Sequence, residues 1–142
     1  MSVKVLLCED NPGDIYLIEH SFHDSKLNYD IDKLLNGDEV MQYLRQENQY
    51  QYASRPDILI LDLNLPGKHG FEILTEVKAD PFLRAIPIVV LTSSKARQDV
   101  LTSYQLQASC YIVKPSDLQA FLGAIRQIES FWLSLVELPK PE

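Results

Sequence analysis

Four short runs of nearly unbroken hydrophobicity govern what this chain can fold into. They are Val3–Cys8, Ile58–Leu61, Ile86–Leu91 and Cys110–Val113. An apolar stretch of that length without polar alternation suits a strand covered on both faces, the situation of a parallel sheet. A weaker run, Tyr29–Leu34, carries Asp30, Asp32 and Lys33 and is expected at a sheet edge. Between the runs the apolar spacing is helical. Ile15, Ile18 and Phe22 follow a cap near Asn11 to Asp14, and Val40 and Leu44 follow Gly37-Asp38. Phe71, Leu74 and Lys78 mark a third helix after Gly70, and Val100, Leu101 and Tyr104 a fourth. The last starts at Ser116-Asp117 and carries Leu118, Phe121, Leu122, Ile125, Ile128, Phe131, Trp132 and Leu135, until the tail from Pro139 to Glu142 ends it.

Five alternations of strand and helix predict a doubly wound α/β fold with a five-stranded parallel sheet and five helices. One domain is expected over residues 1–142, its last helix and C-terminal extension spanning about 117–138. The polar, tyrosine-bearing segment from Gln46 to Arg55 reads as a long surface loop or a helix extension.

Charge removes several function classes. Lys plus Arg is 13 and Asp plus Glu is 20, a net charge of −7. That balance argues against a basic face for nucleic acid and against docking on anionic membranes. No apolar stretch approaches the ~20 residues of a membrane span. Met1-Ser2-Val3-Lys4 leads straight into a strand and lacks a signal-peptide layout, so a cytoplasmic location is expected. Cys8 and Cys110 lie inside apolar runs and read as free buried thiols. His20, His23 and His69 have no partners at ligand spacing.

In open α/β sheets, ligands bind beyond the carboxyl ends of the strands. The first run ends in Glu9-Asp10, the third in Asp62-Leu63-Asn64-Leu65-Pro66-Gly67, the fourth in Thr92-Ser93-Ser94 and the fifth in Lys114-Pro115. Clustered carboxylates repel unless they are protonated or share a cation, and hard oxygen donors suit Mg²⁺, which bridges carboxylates to phosphate. A lysine can neutralise phosphate oxygens and a hydroxyl can hydrogen-bond one of them. An aspartate carboxylate is a nucleophile in phosphoryl transfer, where positioning and charge neutralisation supply most of the catalysis.

The series Glu9-Asp10, Asp62, Thr92, Lys114-Pro115 resembles the receiver domains of two-component response regulators, over essentially the whole chain. The resemblance implies a flavodoxin-like strand order 2-1-3-4-5 and a phosphoacceptor switch, not a conventional enzyme, that promotes its own phosphotransfer and autodephosphorylation. It makes Asp62 the phosphoacceptor and gives the metal, Mg²⁺ with Mn²⁺ as a substitute, to Asp10, Asp62 and the main-chain carbonyl of Asn64, with Glu9 acting through bound water. Thr92 and Lys114 would hold the phosphoryl group, Tyr111 would be the aromatic switch, and the Lys114–Pro115 peptide bond would be cis. Glu9-Asp10-Asn11-Pro12-Gly13-Asp14, Asp62-Leu63-Asn64-Leu65-Pro66 and Ile128-Glu129-Ser130-Phe131-Trp132-Leu133 further resemble cyanobacterial phytochrome response regulators. Ser103-Tyr104 and Cys110-Tyr111 agree. That similarity implies a phytochrome-type sensor histidine kinase as donor and a homodimer built on the last helix.

Plainer readings compete at each position. Glu9-Asp10 could be a solvated turn, and Thr92-Ser93-Ser94 could start a helix. Lys114 could be a surface lysine, although a lysine seldom closes a buried strand without a charge partner. Phe131, Trp132, Leu133, Leu135 and Val136 cover too much of one helix for a single buried stripe. They are either wrapped by their own domain or meet a second copy, and a two-fold dimer is expected. A haloacid-dehalogenase-type phosphatase needs an acid where Asn64 stands, and Glu9-Asp10 would repel a cofactor phosphate from the first strand's loop. A pseudo-receiver that binds partners without phosphorylation is the stronger rival, and the intact acids, Thr92 and Lys114 count against it.

Overall fold

The computed structural model describes residues 2–139; Met1 and the tail residues 140–142 lie outside them. Along the chain come β1 (Val3–Cys8), α1 (Pro12–His23), β2 (Tyr29–Leu34), α2 (Gly37–Leu44), β3 (Ile58–Leu61), α3 (Gly70–Ala79), β4 (Ile88–Thr92), α4 (Arg97–Gln105), β5 (Cys110–Val113) and α5 (Leu118–Ser130). The strands pair in parallel in the order β2-β1-β3-β4-β5, with the charged β2 at an edge as expected. β4 starts two residues later than its apolar run because Pro87 has no N–H to give to a ladder.

The unbroken apolar runs are explained by two cores. Leu6, Leu59, Leu61, Ile88 and Val90 meet α2 and α3 through Val40, Leu44, Ile73, Leu74 and Val77. Val5, Leu7, Ile58, Ile60, Val89 and Leu91 meet α1 and α5 through Ile15, Ile18, Phe22, Phe121, Ile125 and Ile128. Alternate residues of each central strand therefore serve opposite faces, and neither face tolerates a polar side chain.

Helix starts follow local chemistry. The Asn11, Asn36 and Asp117 side chains accept from the backbone N–H groups of Asp14, Glu39 and Ala120, capping α1, α2 and α5. His69 Nδ1 accepts from Phe71 N at 3.0 Å, so this histidine is the cap of α3. Two glycines shape the loop after β3. Gly67 sits at φ +75°, and a Cβ on Gly37 would lie 1.9 Å from the Lys68 carbonyl oxygen. Within the Gln46–Arg55 segment, Asn48–Tyr50 form a 3-10 turn, and the Arg55 side chain donates to the Leu44 carbonyl.

Two helices differ from their expected stripes. α4 keeps Leu101 and Tyr104 about half exposed and buries Ser103, whose hydroxyl donates to the Asp99 carbonyl. In α3 the buried stripe is Gly70, Ile73, Leu74 and Val77, with Phe71 only partly covered. α5 passes into a π-helical turn, Phe131–Leu135, closed by Val136 N donating to the Phe131 carbonyl at 3.0 Å. That turn divides the apolar tail. Leu133 is buried and Trp132 and Leu138 pack on the α1–α5 core, while Phe131 and Leu135 stay 47% and 74% exposed. Leu133 is thus claimed by its own domain.

Between α1 and α5, Glu129 is 7% exposed; its Oε2 accepts from Ser21 at 3.0 Å, and its Oε1 has no hydrogen-bond partner among the described residues. Burial raises its pKa above the ordinary glutamate value, against the Ser21 hydrogen bond and the Arg126 charge. A carboxyl raised in the folded state binds more protons folded than unfolded, so its contribution to stability falls as pH rises above the unfolded value. Glu129→Gln, which cannot ionise, should therefore gain stability relative to the wild type as pH rises from 4.5 to 8, read from urea midpoints.

Candidate functional site

The carboxyl ends of β1, β3, β4 and β5 open on one cleft, lined among others by Glu9, Asp10, Asp14, Asp62, Asn64 and Lys114. Parallel pairing brings these ends together: Cys8 is in register with Leu61, and Thr92 with Val113. Asp62 N donates to the Cys8 carbonyl and Lys114 N to the Thr92 carbonyl, so the first residue past each strand is still fixed by backbone hydrogen bonds.

Asp62 is 7% exposed and fully engaged. Its Oδ1 accepts from Thr92 Oγ1 at 2.8 Å and from Asn64 N at 3.2 Å, and its Oδ2 accepts from Lys114 Nζ at 2.9 Å. Burial favours the neutral acid, but the Lys114, Thr92 and Asn64 hydrogen bonds outweigh it and hold the carboxyl below the usual aspartate range. Asp62 is thus an anion at neutral pH, the form a nucleophile requires.

Lys114 Nζ also lies 2.7 Å from Glu9 Oε1 and 2.8 Å from Asp14 Oδ2. Three carboxylates therefore share one ammonium. Burial drives Glu9, 1% exposed, up to about 7 despite its hydrogen bond from Lys114, with repulsion from Asp62 adding to the rise. The site holds more acid than it can neutralise. Glu9, Asp10 and Asp62 each place a carboxylate oxygen within 4.8 Å of the others, an all-oxygen donor set that fits a hard divalent cation. Asn64 lines the same cleft.

Thr92 is wholly buried. Tyr111 on β5 is half-buried, its hydroxyl donating to the Ser94 carbonyl at 2.8 Å, two residues past Thr92. The expected cis bond is not found: no peptide bond among the described residues is cis, and Lys114–Pro115 is trans. Trans is the intrinsically favoured isomer even before proline, and Lys114 reaches Asp62 from it. Asp14 as a partner of Lys114 was not foreseen. Its signal was its place in the first helical turn after Glu9-Asp10, where a helix returns a side chain toward the strand ends.

This fold and rim define a class. The chain belongs to the response regulator receiver family: the profile of the response regulator receiver domain matches residues 5–126. Response regulator Rcp1 of Synechocystis sp. is 40% identical over 135 residues, 95% of this chain and 92% of the relative. The crystal structure of the phosphorylated cyanobacterial phytochrome response regulator RcpA matches with a TM-score of 0.95 at 44% identity, covering 99% of this chain and 100% of that one. The Mn²⁺-bound form of Rcp1 matches with a TM-score of 0.94 at 39% identity, over 96% of this chain and 99% of that one. Among the described residues no helix is long and apolar enough to cross a membrane.

Removing the shared ammonium should expose the repulsion it masks. Lys114→Met is expected to lose on the order of 3 kcal/mol in metal-free buffer at neutral pH, with part of the loss restored by millimolar Mg²⁺. Urea denaturation with and without the metal measures both effects.

Proposed function

We propose that this protein is a phosphorylation-controlled interaction switch in which Asp62 accepts a phosphoryl group from the phosphohistidine of a sensor kinase. The observation that carries the reading is Asp62 itself: a buried, ionised carboxylate held by Thr92 and Lys114 at the mouth of an acidic cleft. An Asp62 oxygen attacks phosphorus, the P–N bond to the donor imidazole breaks, and the imidazole leaves with its electron pair and takes up a proton. Hydrolysis later breaks the new bond, returning the carboxylate and inorganic phosphate. Thr92 and Lys114 give a hydrogen bond and a positive charge to phosphoryl oxygens.

Asp10, Asp62 and the Asn64 carbonyl would hold Mg²⁺, or Mn²⁺ in its place, with Glu9 acting through water. The metal supplies charge neutralisation between the carboxylates and the phosphoryl oxygens. The added charge, roughly −2, moves the Thr92 hydrogen bond from the Asp62 carboxylate to a phosphoryl oxygen and thereby bears on Ser94 and the Tyr111 hydroxyl bonded to its carbonyl. We read Tyr111 as the switch residue on this basis. Relatives named as phytochrome response regulators support a phytochrome-type histidine kinase as donor. The message then passes by protein contact, within the cell.

The test is incubation with acetyl phosphate with and without Mg²⁺, followed by intact mass. A Mg²⁺-dependent gain of one phosphoryl group, absent in Asp62→Asn, is the expected result. No adduct in the wild type would leave a phosphorylation-independent interaction module.

The outward half of the apolar tail supports a homodimer. Phe131 and Leu135 are exposed beside Trp132, which stacks edge-on against Phe131 at 5.2 Å. Two such patches related by a two-fold axis cover each other. Sedimentation equilibrium at micromolar concentration should give twice the chain mass, and Phe131→Ala with Leu135→Ala should return the monomer. A monomeric wild type overturns the dimer without touching the phosphoacceptor reading.

A further inference from the structure

Lys114 has a partner that phosphoryl transfer does not require. An ammonium has three hydrogens to donate, and in this structure Glu9, Asp14 and Asp62 take them at 2.7, 2.8 and 2.9 Å. Glu9 and Asp62 also belong to the carboxylate group whose oxygens converge within 4.8 Å; Asp14 does not. Asp14 arrives from α1, one turn beyond β1, and its place is set by the Asn11 cap, whose side chain accepts from Asp14 N at 3.0 Å. Asp14 is therefore the one carboxylate on Lys114 that stands outside the donor set a cation would use.

We propose that Asp14 is a positioning residue for Lys114: a built-in counter-anion that competes with the phosphoryl group on Asp62 for the ammonium and so limits how tightly the phosphorylated state is held. The inference rests on Asp62 being the phosphoacceptor. Two anions on one cation share its hydrogen bonds and repel each other, and the repulsion is poorly screened because the Lys114 and Asp14 side chains are only 9% and 21% exposed. Burial works against the Lys114 ammonium, but the hydrogen bonds it donates to Asp14, Glu9 and Asp62 together outweigh it and hold the pKa above its ordinary value, so the ammonium is always present to be shared. Asp14 also favours the N-terminal turn of α1 as any early acid does. That role predicts a change in melting temperature alone.

Calorimetric titration with beryllium fluoride, a non-covalent phosphoryl mimic, at saturating Mg²⁺ separates the two. Asp14→Asn and Asp14→Ser should bind the mimic about 10-fold more tightly than the wild type, and Asp14→Glu should restore wild-type affinity. Asp117→Asn serves as the control for general charge: Asp117 lines the same cleft but caps α5 and makes no contact with Lys114 at hydrogen-bond distance, and its variant should stay within about two-fold. Equal or weaker binding by both neutral Asp14 variants overturns the proposal, as does an equal gain in Asp117→Asn. Either result, with a wild type that binds the mimic, leaves the Asp62 reading standing. A wild type that does not bind it overturns both.

Discussion

Everything at the functional rim turns on one ammonium. Lys114 Nζ neutralises Asp62 while also contacting Glu9 and Asp14, and it does so at the end of β5, where few groups can reach all three. Without it, carboxylates buried to within a few per cent would face one another across a low-dielectric cleft. The competition among them explains the opposite fates of two neighbours. Asp62 wins hydrogen bonds from Lys114, Thr92 and Asn64 and stays ionised, whereas Glu9 is pushed up toward neutrality. A site with surplus acid is poised to trade a proton or the lysine for a divalent cation.

The sheet makes that arrangement possible. Each central strand buries both faces, so a one-residue slip would exchange the side chains fitted to its two different cores. A rigid parallel sheet then delivers Glu9, Asp62, Thr92 and Lys114 to one edge with the precision the hydrogen bonds require. From Thr92 a short path leads outward: Ser94 offers its carbonyl to Tyr111, and Tyr104 accepts from the Tyr111 N–H at 3.2 Å. Leu101 and Tyr104 are half exposed on α4, so movement at Thr92 has a surface on which to register.

Much of this was legible in the sequence because the strands are nearly pure. Runs such as Ile58–Leu61 are too short for a helix and rich in β-branched and aliphatic residues, and the polar residue that ends each run names the rim. Boundaries were harder: Pro87 delays β4, and Ser103 replaces the expected apolar stripe of α4 because its hydroxyl is satisfied by Asp99. His69 shows only a lack of partners at ligand spacing in the sequence, and its role as a cap depends on a ring nitrogen meeting a backbone N–H. Asp14 is not legible as a lysine partner because, unlike Glu9, Asp62 and Lys114, it ends no apolar run but sits in the first turn of α1. The division of the C-terminal tail depends on a π turn, which no apolar periodicity announces. The trans Lys114–Pro115 bond departs from what family resemblance implied, and the lysine reaches the site all the same.

The most direct test of the account is chemical location of the phosphoryl group. After phosphorylation in Mg²⁺, borohydride reduction converts an aspartyl phosphate to homoserine, which tandem mass spectrometry locates in the chain. Homoserine at position 62 and nowhere else is the predicted result. Homoserine at Asp10 or Asp14, or a phosphoryl group that survives on a hydroxyl such as Thr92, would contradict the claim that Asp62 is the nucleophile of this rim.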